Sequence, residues 1–193
     1  MSANYKQLEQ FTKNLEKLNE QQKDQFLQSC AKELAARLLA KVIKRTPVGK
    51  KPKMQGSKTI KVQGSSGKSQ TFLSVEGARH EKYWSDYQGG TLRRGWTAGK
   101  STNAVEYAKS LNIQHIGDKY IIDIVNPVEY ASYVEYGHRQ NVGQFVPALG
   151  KRLKSGWIPG HFMLTISEKE IQNSQQAILQ AKLNKYMKDV FKV

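Results

Sequence analysis

Apolar residues recur at intervals of three and four positions through the first part of the chain, a spacing that predicts amphipathic helices. Residues 5–18 form the first such segment, within a predicted helical arm over residues 1–19. The second segment runs from about residue 20 to residue 45. Pro47 is expected to end it, because proline cannot donate the backbone hydrogen bond of a helix. The pattern therefore predicts a short helix followed by a long one.

The rest of the chain alternates between strand-like and helix-like patterns. Residues 104–117 and 119–126 are rich in Val, Ile and Tyr and are predicted to pair as two strands across a tight turn. A short helix follows, which Gly137 should end in a left-handed conformation. Residues 138–160 are typical of a loop, and a last helix is predicted over residues 162–193.

The apolar positions of these elements predict a core in which the long helix packs on a small antiparallel sheet. The single cysteine, Cys30, lies on the apolar side of the long helix and is expected to be a buried thiol without a disulfide or a zinc ion. The other side chains predicted to be buried are Leu34, Leu38, Val42, Ile121, Ile122, Ile124 and Val134.

Charge changes the picture for the segment that follows the long helix. The chain carries 31 lysines and arginines against 16 aspartates and glutamates, a formal net charge of +15. This excess favours contact with a polyanion or an acidic protein surface, the alternative being a surface that serves only solubility. Residues 44–75 hold many of these cations and no acidic residue. The segment is predicted to be flexible by itself, although residues 58–64 and 70–77 could pair as two short strands.

The sequence offers no arrangement typical of an active site. His80, Glu81 and Asp86 lie near each other but form only a weak candidate for a metal or acid–base site. The glycines of "GSSGKS" at 64–69 are two residues too close for a phosphate-binding loop, and Ser132 lacks the flanking glycines of a nucleophile elbow. No apolar run approaches the ~20 residues of a membrane span. We expect no enzymatic activity, no cofactor, no metal and no membrane partner.

Several segments, in a fixed order, carry a resemblance to a known family. They are "RTPVG" (45–49), "GGTLRRGW" (89–96), the predicted hairpin, "NPVEYASYVEYGHRQ" (126–140) and "GWIPGHFML" (156–164). Over residues 30–175 they resemble the lambdoid-type neck proteins of long-tailed bacteriophages, which are head–tail joining and tail-completion proteins of the tail-terminator type. In that family the Thr-Pro-Val turn runs almost directly into the Leu-Arg segment, whereas here a basic insertion at residues 50–89 intervenes.

The resemblance implies an α+β fold in a single head–tail joining domain over residues 1–193. In such a fold a small antiparallel β-sheet is packed by a long N-terminal helix, a short central helix and a C-terminal helix. The basic insertion would be an extended loop or hairpin. Nothing in the family's pattern shows what that insertion contacts.

The resemblance also implies a structural virion protein, assembled in the cytoplasm of the host bacterium. It would form a homo-oligomeric ring, commonly a hexamer, in the neck of the particle. The ring would join the DNA-filled head connector to the tail tube and let double-stranded DNA pass. Its partners would be a head connector or stopper protein and the tail tube protein. Two competing functions remain: a free, non-specific nucleic-acid-binding module, and a small nuclease, for which clustered acidic or histidine ligands are missing.

The short helix around residues 128–136 carries bulky side chains on two faces, so one face could be buried in the chain and the other against a neighbour. The alternative is an ordinary helix lying on a sheet. The predicted subunit-contact residues are Arg93, Arg94, Trp96, Tyr133, Glu135, Tyr136 and His138. The residues predicted to contact DNA or an adjoining ring are Lys50, Lys51, Lys53, Lys58, Lys61 and Lys68.

Overall fold

The structure, a computed structural model, describes residues 20–54, 56–64, 67–99, 103–117 and 119–191. The helical arm predicted over residues 1–19 lies outside these ranges. The described residues form two compact units. The helical unit comprises the described residues up to Arg45, those from Arg94 to Pro127 and those from Met163 onward, and the hairpin unit comprises residues 46–93 and 128–162. The single domain predicted over residues 1–193 stays a prediction.

The regular elements among the described residues are two long helices, several shorter helices and short antiparallel strands. The helices are α1 (Glu20–Arg45), α2 (Val75–Trp84), α3 (Thr91–Gly95), α4 (Ala104–Ser110), α5 (Ala131–Tyr136) and α6 (Met163–Phe191). The strands are β1 (Thr59–Gln63), β2 (Ser69–Leu73), β3 (Gln114–Ile116), β4 (Lys119–Ile121), β5 (Gly137–Arg139), β6 (Phe145–Val146), β7 (Lys151–Arg152) and β8 (Trp157–Pro159). They pair as the antiparallel two-stranded sheets β1–β2, β3–β4, β5–β8 and β6–β7. The predicted α+β class is confirmed.

In the helical unit α1 packs against α4 and α6. Leu39 and Val42 of α1 are 0% exposed, and so is Met163 at the start of α6. The α4 surface is made of small residues, since Ala104 and Ala108 are buried one turn apart. Small side chains let two helix backbones approach closely, so α4 can cover α1 with little apolar bulk of its own.

α1 and α6 run antiparallel, as their paired residues show. At the end of α1, Arg45 donates hydrogen bonds to Ser167 Oγ at 2.6 Å and to Glu170 Oε1 at 2.8 Å. Further back along α1, Glu33 pairs with Lys182 Nζ at 3.0 Å. These contacts fix the register of the two long helices at both ends of their interface.

The predicted core is confirmed for Cys30 and Val42. Burial raises the pKa of the Cys30 thiol. Most of the other residues predicted to be buried are only partly so, and Ile121 is exposed; the partly buried set is Leu34, Leu38, Ile122, Ile124 and Val134. α1 carries two neighbouring apolar stripes, and the structure buries residues of both: Cys30 and Val42 lie on the stripe of Leu38, and Ala35 lies on the stripe of Leu39. The main partners of α1 are helices, and β4 makes a smaller contact.

The strand predicted over residues 104–117 is largely wrong, because its first half is the helix α4. Asn103 begins this helix: its side-chain oxygen accepts a hydrogen bond from the Val105 amide at 2.9 Å. The predicted hairpin shrinks to β3 and β4, with Gly117 in a positive-φ conformation at the turn. A helix cap and two alanines at helical spacing thus outweigh the β-branched residues of the segment.

The basic insertion is a β-hairpin followed by a helix. β1 lies inside the first predicted segment, and β2 begins one residue before the second. Ile60 pairs with Phe72, and Val62 pairs with Gln70. α2 then starts where the second strand was expected to continue. Ser74 caps it, since its hydroxyl accepts a hydrogen bond from the Gly77 amide at 2.9 Å.

Residues 138–160, predicted to be a loop, instead form a nested hairpin together with Gly137. β5 pairs with β8 at the base, and β6 pairs with β7 nearer the tip. Backbone hydrogen bonds continue between the two sheets, including Gln140 N to Gly156 O at 3.0 Å. The strands are two or three residues long, which is too short for alternation of apolar and polar residues to reveal them.

Candidate assembly surface

The central helix α5 is attached to the chain by backbone hydrogen bonds, and two of its tyrosines are exposed. The amides of His161 and Phe162 donate hydrogen bonds to the carbonyls of Val134 and Glu135, at 2.8 and 3.0 Å. Tyr133 and Tyr136 of the same helix are 58% and 59% exposed. The carboxyl end of α5 is therefore held by the chain while these two tyrosines stay exposed, and a neighbour's contact with the outer face stays a prediction.

Gly137 ends α5 and allows the chain to turn into β5. Its φ of +86° is positive, as predicted for the cap, whereas its ψ of 172° is extended rather than left-handed helical. Its amide donates to the carbonyl of Tyr133. A Cβ atom at this position would lie 2.5 Å from the carbonyl oxygen of Ile158 and 2.9 Å from Cζ2 of Trp157. Only glycine therefore fits between the helix end and β8.

Several aromatic rings meet around this turn. The rings of Tyr133 and His138 lie 5.9 Å apart, and the indole of Trp157 covers Gly137. Trp157 is itself 51% exposed. We call Tyr133, Tyr136, His138 and Trp157 the aromatic surface. Sequence reasoning missed Trp157, because its place beside Gly137 depends on the pairing of β5 with β8.

The other predicted subunit-contact residues have contacts inside the chain. Trp96 is 4% exposed and Glu135 is 5% exposed, so both present little surface to a neighbour. Arg93 donates two hydrogen bonds to the carbonyl of Thr46, at 2.6 and 3.1 Å, and so fastens the turn that follows α1. Arg94 is exposed. The role of the predicted set in subunit contact stays a prediction.

The cations of the basic insertion divide into two groups. Lys51 Nζ donates to the Ser85 carbonyl at 2.7 Å, and Lys58 Nζ lies 3.0 Å from Glu81 Oε2. The remaining predicted contact residues are exposed lysines: Lys50, Lys53, Lys61 and Lys68. Every described residue of the β1–β2 hairpin is exposed as well.

The hairpin unit has almost no apolar core. Among its described residues Leu92 is the one buried apolar side chain. Large exposed side chains are spread over the same unit, and they include Ile60, Phe72, Val75, Tyr83, Tyr87, Val142, Phe145 and Leu149 besides the aromatic surface. In the helical unit the long helices bury their apolar stripes against one another. The helical unit therefore buries several apolar side chains, whereas the hairpin unit leaves most of its large apolar side chains exposed.

The described residues contain no group of three or more His, Cys, Asp or Glu side chains that could hold a metal ion, and His80, Glu81 and Asp86 form no such group. None of the described helices combines the length and the apolar character that crossing a membrane requires.

Comparison with known proteins gives one result that bears on identity. Residues 9–137 match the family model described as "Bacteriophage HK97-gp10, putative tail-component". No curated protein matches the chain, and no solved structure does. The matched range is well over half of the 193 residues, ends at the Gly137 turn and supports the resemblance to phage tail-completion proteins. The chain belongs to the HK97-gp10-like family, a family of structural bacteriophage tail components rather than of enzymes.

Proposed function

We propose that this tail component is a subunit of the phage neck, forming a ring that joins the head connector to the tail tube and lets DNA pass. The observation that carries the proposal is the near absence of a core in the hairpin unit. Exposed apolar area on this scale is unfavourable in water and is typical of a surface that another protein covers. A ring supplies such cover on two sides of every subunit.

The aromatic surface is the proposed contact between adjacent subunits. Tyr133, Tyr136 and Trp157 offer large area at a low cost in side-chain entropy, and their polar atoms tolerate a partly wet rim. Gly137 and the backbone hydrogen bonds to α5 fix the segment that carries these aromatic side chains. The loss of conformational entropy on assembly is therefore small. In a closed ring this surface meets a different surface of the next subunit.

The exposed lysines of the insertion are proposed to face the DNA. Lys50, Lys53, Lys61 and Lys68 would meet backbone phosphates as point charges, without sequence preference. Lys51 and Lys58 have partners within the chain and would contribute less. The head connector or stopper protein and the tail tube protein are the proposed partners above and below the ring.

Electron microscopy and native mass spectrometry of the purified full-length chain test the ring directly. We expect closed rings of one subunit number, at least at high protein concentration. Particles that lack the protein should accumulate as unjoined heads and tails, and the wild-type protein should restore joining. A chain that stays monomeric in vitro and is absent from joined particles, but binds DNA as a monomer, would instead identify a free nucleic-acid-binding module.

A further inference from the structure

The β1–β2 hairpin is amphipathic across its two faces. Side chains of paired residues lie on the same face of a sheet, and neighbours along a strand lie on opposite faces. The pairing of Ile60 with Phe72, and the position of Val62 two residues along from Ile60, therefore place three large apolar side chains on one face. The other face carries Lys61 opposite Thr71 and Gln63 opposite Ser69, with one apolar side chain, Leu73, opposite Thr59 at the base.

The apolar face is uncovered in the chain. Ile60, Val62 and Phe72 are 49%, 47% and 48% exposed, and β1 and β2 pair only with each other among the described strands. A two-stranded hairpin by itself is marginally stable in water. Its stability would therefore increase if another apolar surface covered this face.

The base of the hairpin is fastened to α2, which fixes its position in the unit. The Ser74 amide donates to the carbonyl of Lys58 at 3.0 Å, and the Ser74 hydroxyl donates to the carbonyl of Ser57 at 2.6 Å. A Cβ atom on Gly77 would collide with the Lys58 carbonyl, so α2 lies directly against the hairpin base. Because the β1–β2 hairpin is attached at its base and its apolar face is exposed, it is suited to contact a separate molecule.

The area and the apolar character of this hairpin face indicate which kind of molecule could bind it. Phosphates do not complement an apolar face, so DNA is a poor match for this side of the hairpin. Three half-exposed side chains supply far less than the roughly 800 Å² that each partner of a stable complex buries. The contact therefore needs a partner that another surface already holds nearby, because a tethered neighbour binds as if at high concentration. A second copy, held through the aromatic surface in the proposed ring, meets that condition.

We propose that the apolar face of the β1–β2 hairpin, made of Ile60, Val62 and Phe72, docks on a second copy of this chain in the ring. The inference rests on the proposed function and adds a second contact between the same neighbours. The opposite face, with Lys61, stays available to solvent or DNA. The hairpin thus has an apolar side for protein and a mostly polar side that carries Lys61.

The test compares two substitutions that change charge equally on opposite faces of the hairpin. Val62→Asp places a carboxylate on the apolar face, and Thr71→Asp places one on the polar face, opposite Lys61. Native mass spectrometry over a concentration series measures ring formation by the full-length wild type and both variants. We expect Val62→Asp to weaken ring formation about tenfold or more and Thr71→Asp to change it less than about twofold.

Further measurements separate the possible outcomes. Circular dichroism should show both variants folded, and amide exchange of residues 59–63 and 69–73 in the wild type should slow on ring formation. Equal effects of the two substitutions would show that ring formation responds to added charge on either face, and would overturn the docking proposal. Rings unaffected by Val62→Asp would also overturn it while leaving the ring intact. A wild type that forms no ring, alone or in particles, would refute the proposed function itself.

Discussion

Neighbouring leucines of α1 take different roles, and this sets which substitutions matter. Leu39 is 0% exposed, whereas Leu38 is only partly buried although both belong to apolar stripes of the same helix. The sequence pattern favoured Leu38. Leu39 is instead the fully enclosed leucine, so its side chain contributes more burial energy than that of Leu38.

We expect Leu39→Ala to lower the free energy of unfolding by about 2–5 kcal/mol, because it leaves a cavity in a fully enclosed site. Leu38→Ala is the matched control one residue away and should cost less than about 2 kcal/mol. Chemical denaturation of the two variants measures the difference. A larger loss for Leu38→Ala would mean that Leu38, rather than Leu39, is the enclosed leucine.

Two glutamates are expected to make the stability of the helical unit depend on pH. The hydrogen bond from Lys41 to Glu170, supported by one from Arg45, lowers the pKa of Glu170 below its ordinary value of 4.5. The hydrogen bond from Arg37, with a second from Lys182, similarly lowers the pKa of Glu33. A carboxyl with a depressed pKa stabilises the fold above its unfolded pKa, and this contribution is lost as pH falls through the folded pKa.

The unfolding free energy should therefore decline as pH drops below 4.5, the ordinary value for both side chains. Glu170→Gln should make the decline shallower, since it removes one of the titrating groups. High salt should have the same effect because these ion pairs are partly exposed. Denaturation across the acidic range measures the slope. An unchanged slope in Glu170→Gln would show that its ion pairs add no stability.

The turn from α5 into β5 depends on a single glycine. Gly137 combines a positive φ with close contacts to the backbone of β8, whereas Gly143 has a similar φ of +84° and open space around it. The two positions therefore separate backbone strain from collision. Sequence reasoning located the cap at Gly137 correctly, since a glycine after an apolar helix is a local signal.

We expect Gly137→Ala to open the β5–β8 pair, at a cost of about 1–3 kcal/mol or more, because strain and collision act together. Gly143→Ala should cost about 1 kcal/mol from strain alone. Amide exchange at Gln140, whose N–H donates to the Gly156 carbonyl, reports the opening of the nested hairpin. Equal exchange rates in the two variants would show that the close contact at Gly137 is not limiting.

At the scale of the whole molecule, the hairpin unit has one buried apolar side chain among its described residues. Such a unit is expected to gain stability when another protein surface covers it. Oligomer formation should therefore stabilise the hairpin unit more than the helical unit. The aromatic surface is the proposed place of contact, and Tyr136 is its most exposed ring.

Tyr136→Ala should leave the monomer folded but weaken ring formation about tenfold or more, because contact area is lost without a change in the core. Tyr136→Phe keeps the ring and should retain most of the association. Ser132→Ala, an exposed change on the same helix, should have no effect. Native mass spectrometry and complementation of phage that lack the protein measure these outcomes. Normal assembly with Tyr136→Ala would place the subunit contact elsewhere.

The sequence by itself determined the features that short-range interactions control. The end of α1 before Pro47, the β1–β2 pairing, the cap at Gly137 and the helix α6 all follow from turn residues or from periodicity over several turns. The order of short motifs likewise pointed to the phage family that the comparison supports. These signals lie within stretches of the chain that fold largely by their own preferences.

Tertiary structure decided everything that depends on what covers a surface. Periodicity gave α1 two apolar stripes, and only packing decided that Leu39 is enclosed while Leu38 stays partly exposed. Trp96 and Tyr136 are both aromatic residues in motifs of the family, yet one is 4% exposed and the other 59%. Burial is a property of contacts between distant segments, so no local pattern of residue types could have separated a core tryptophan from a surface tyrosine.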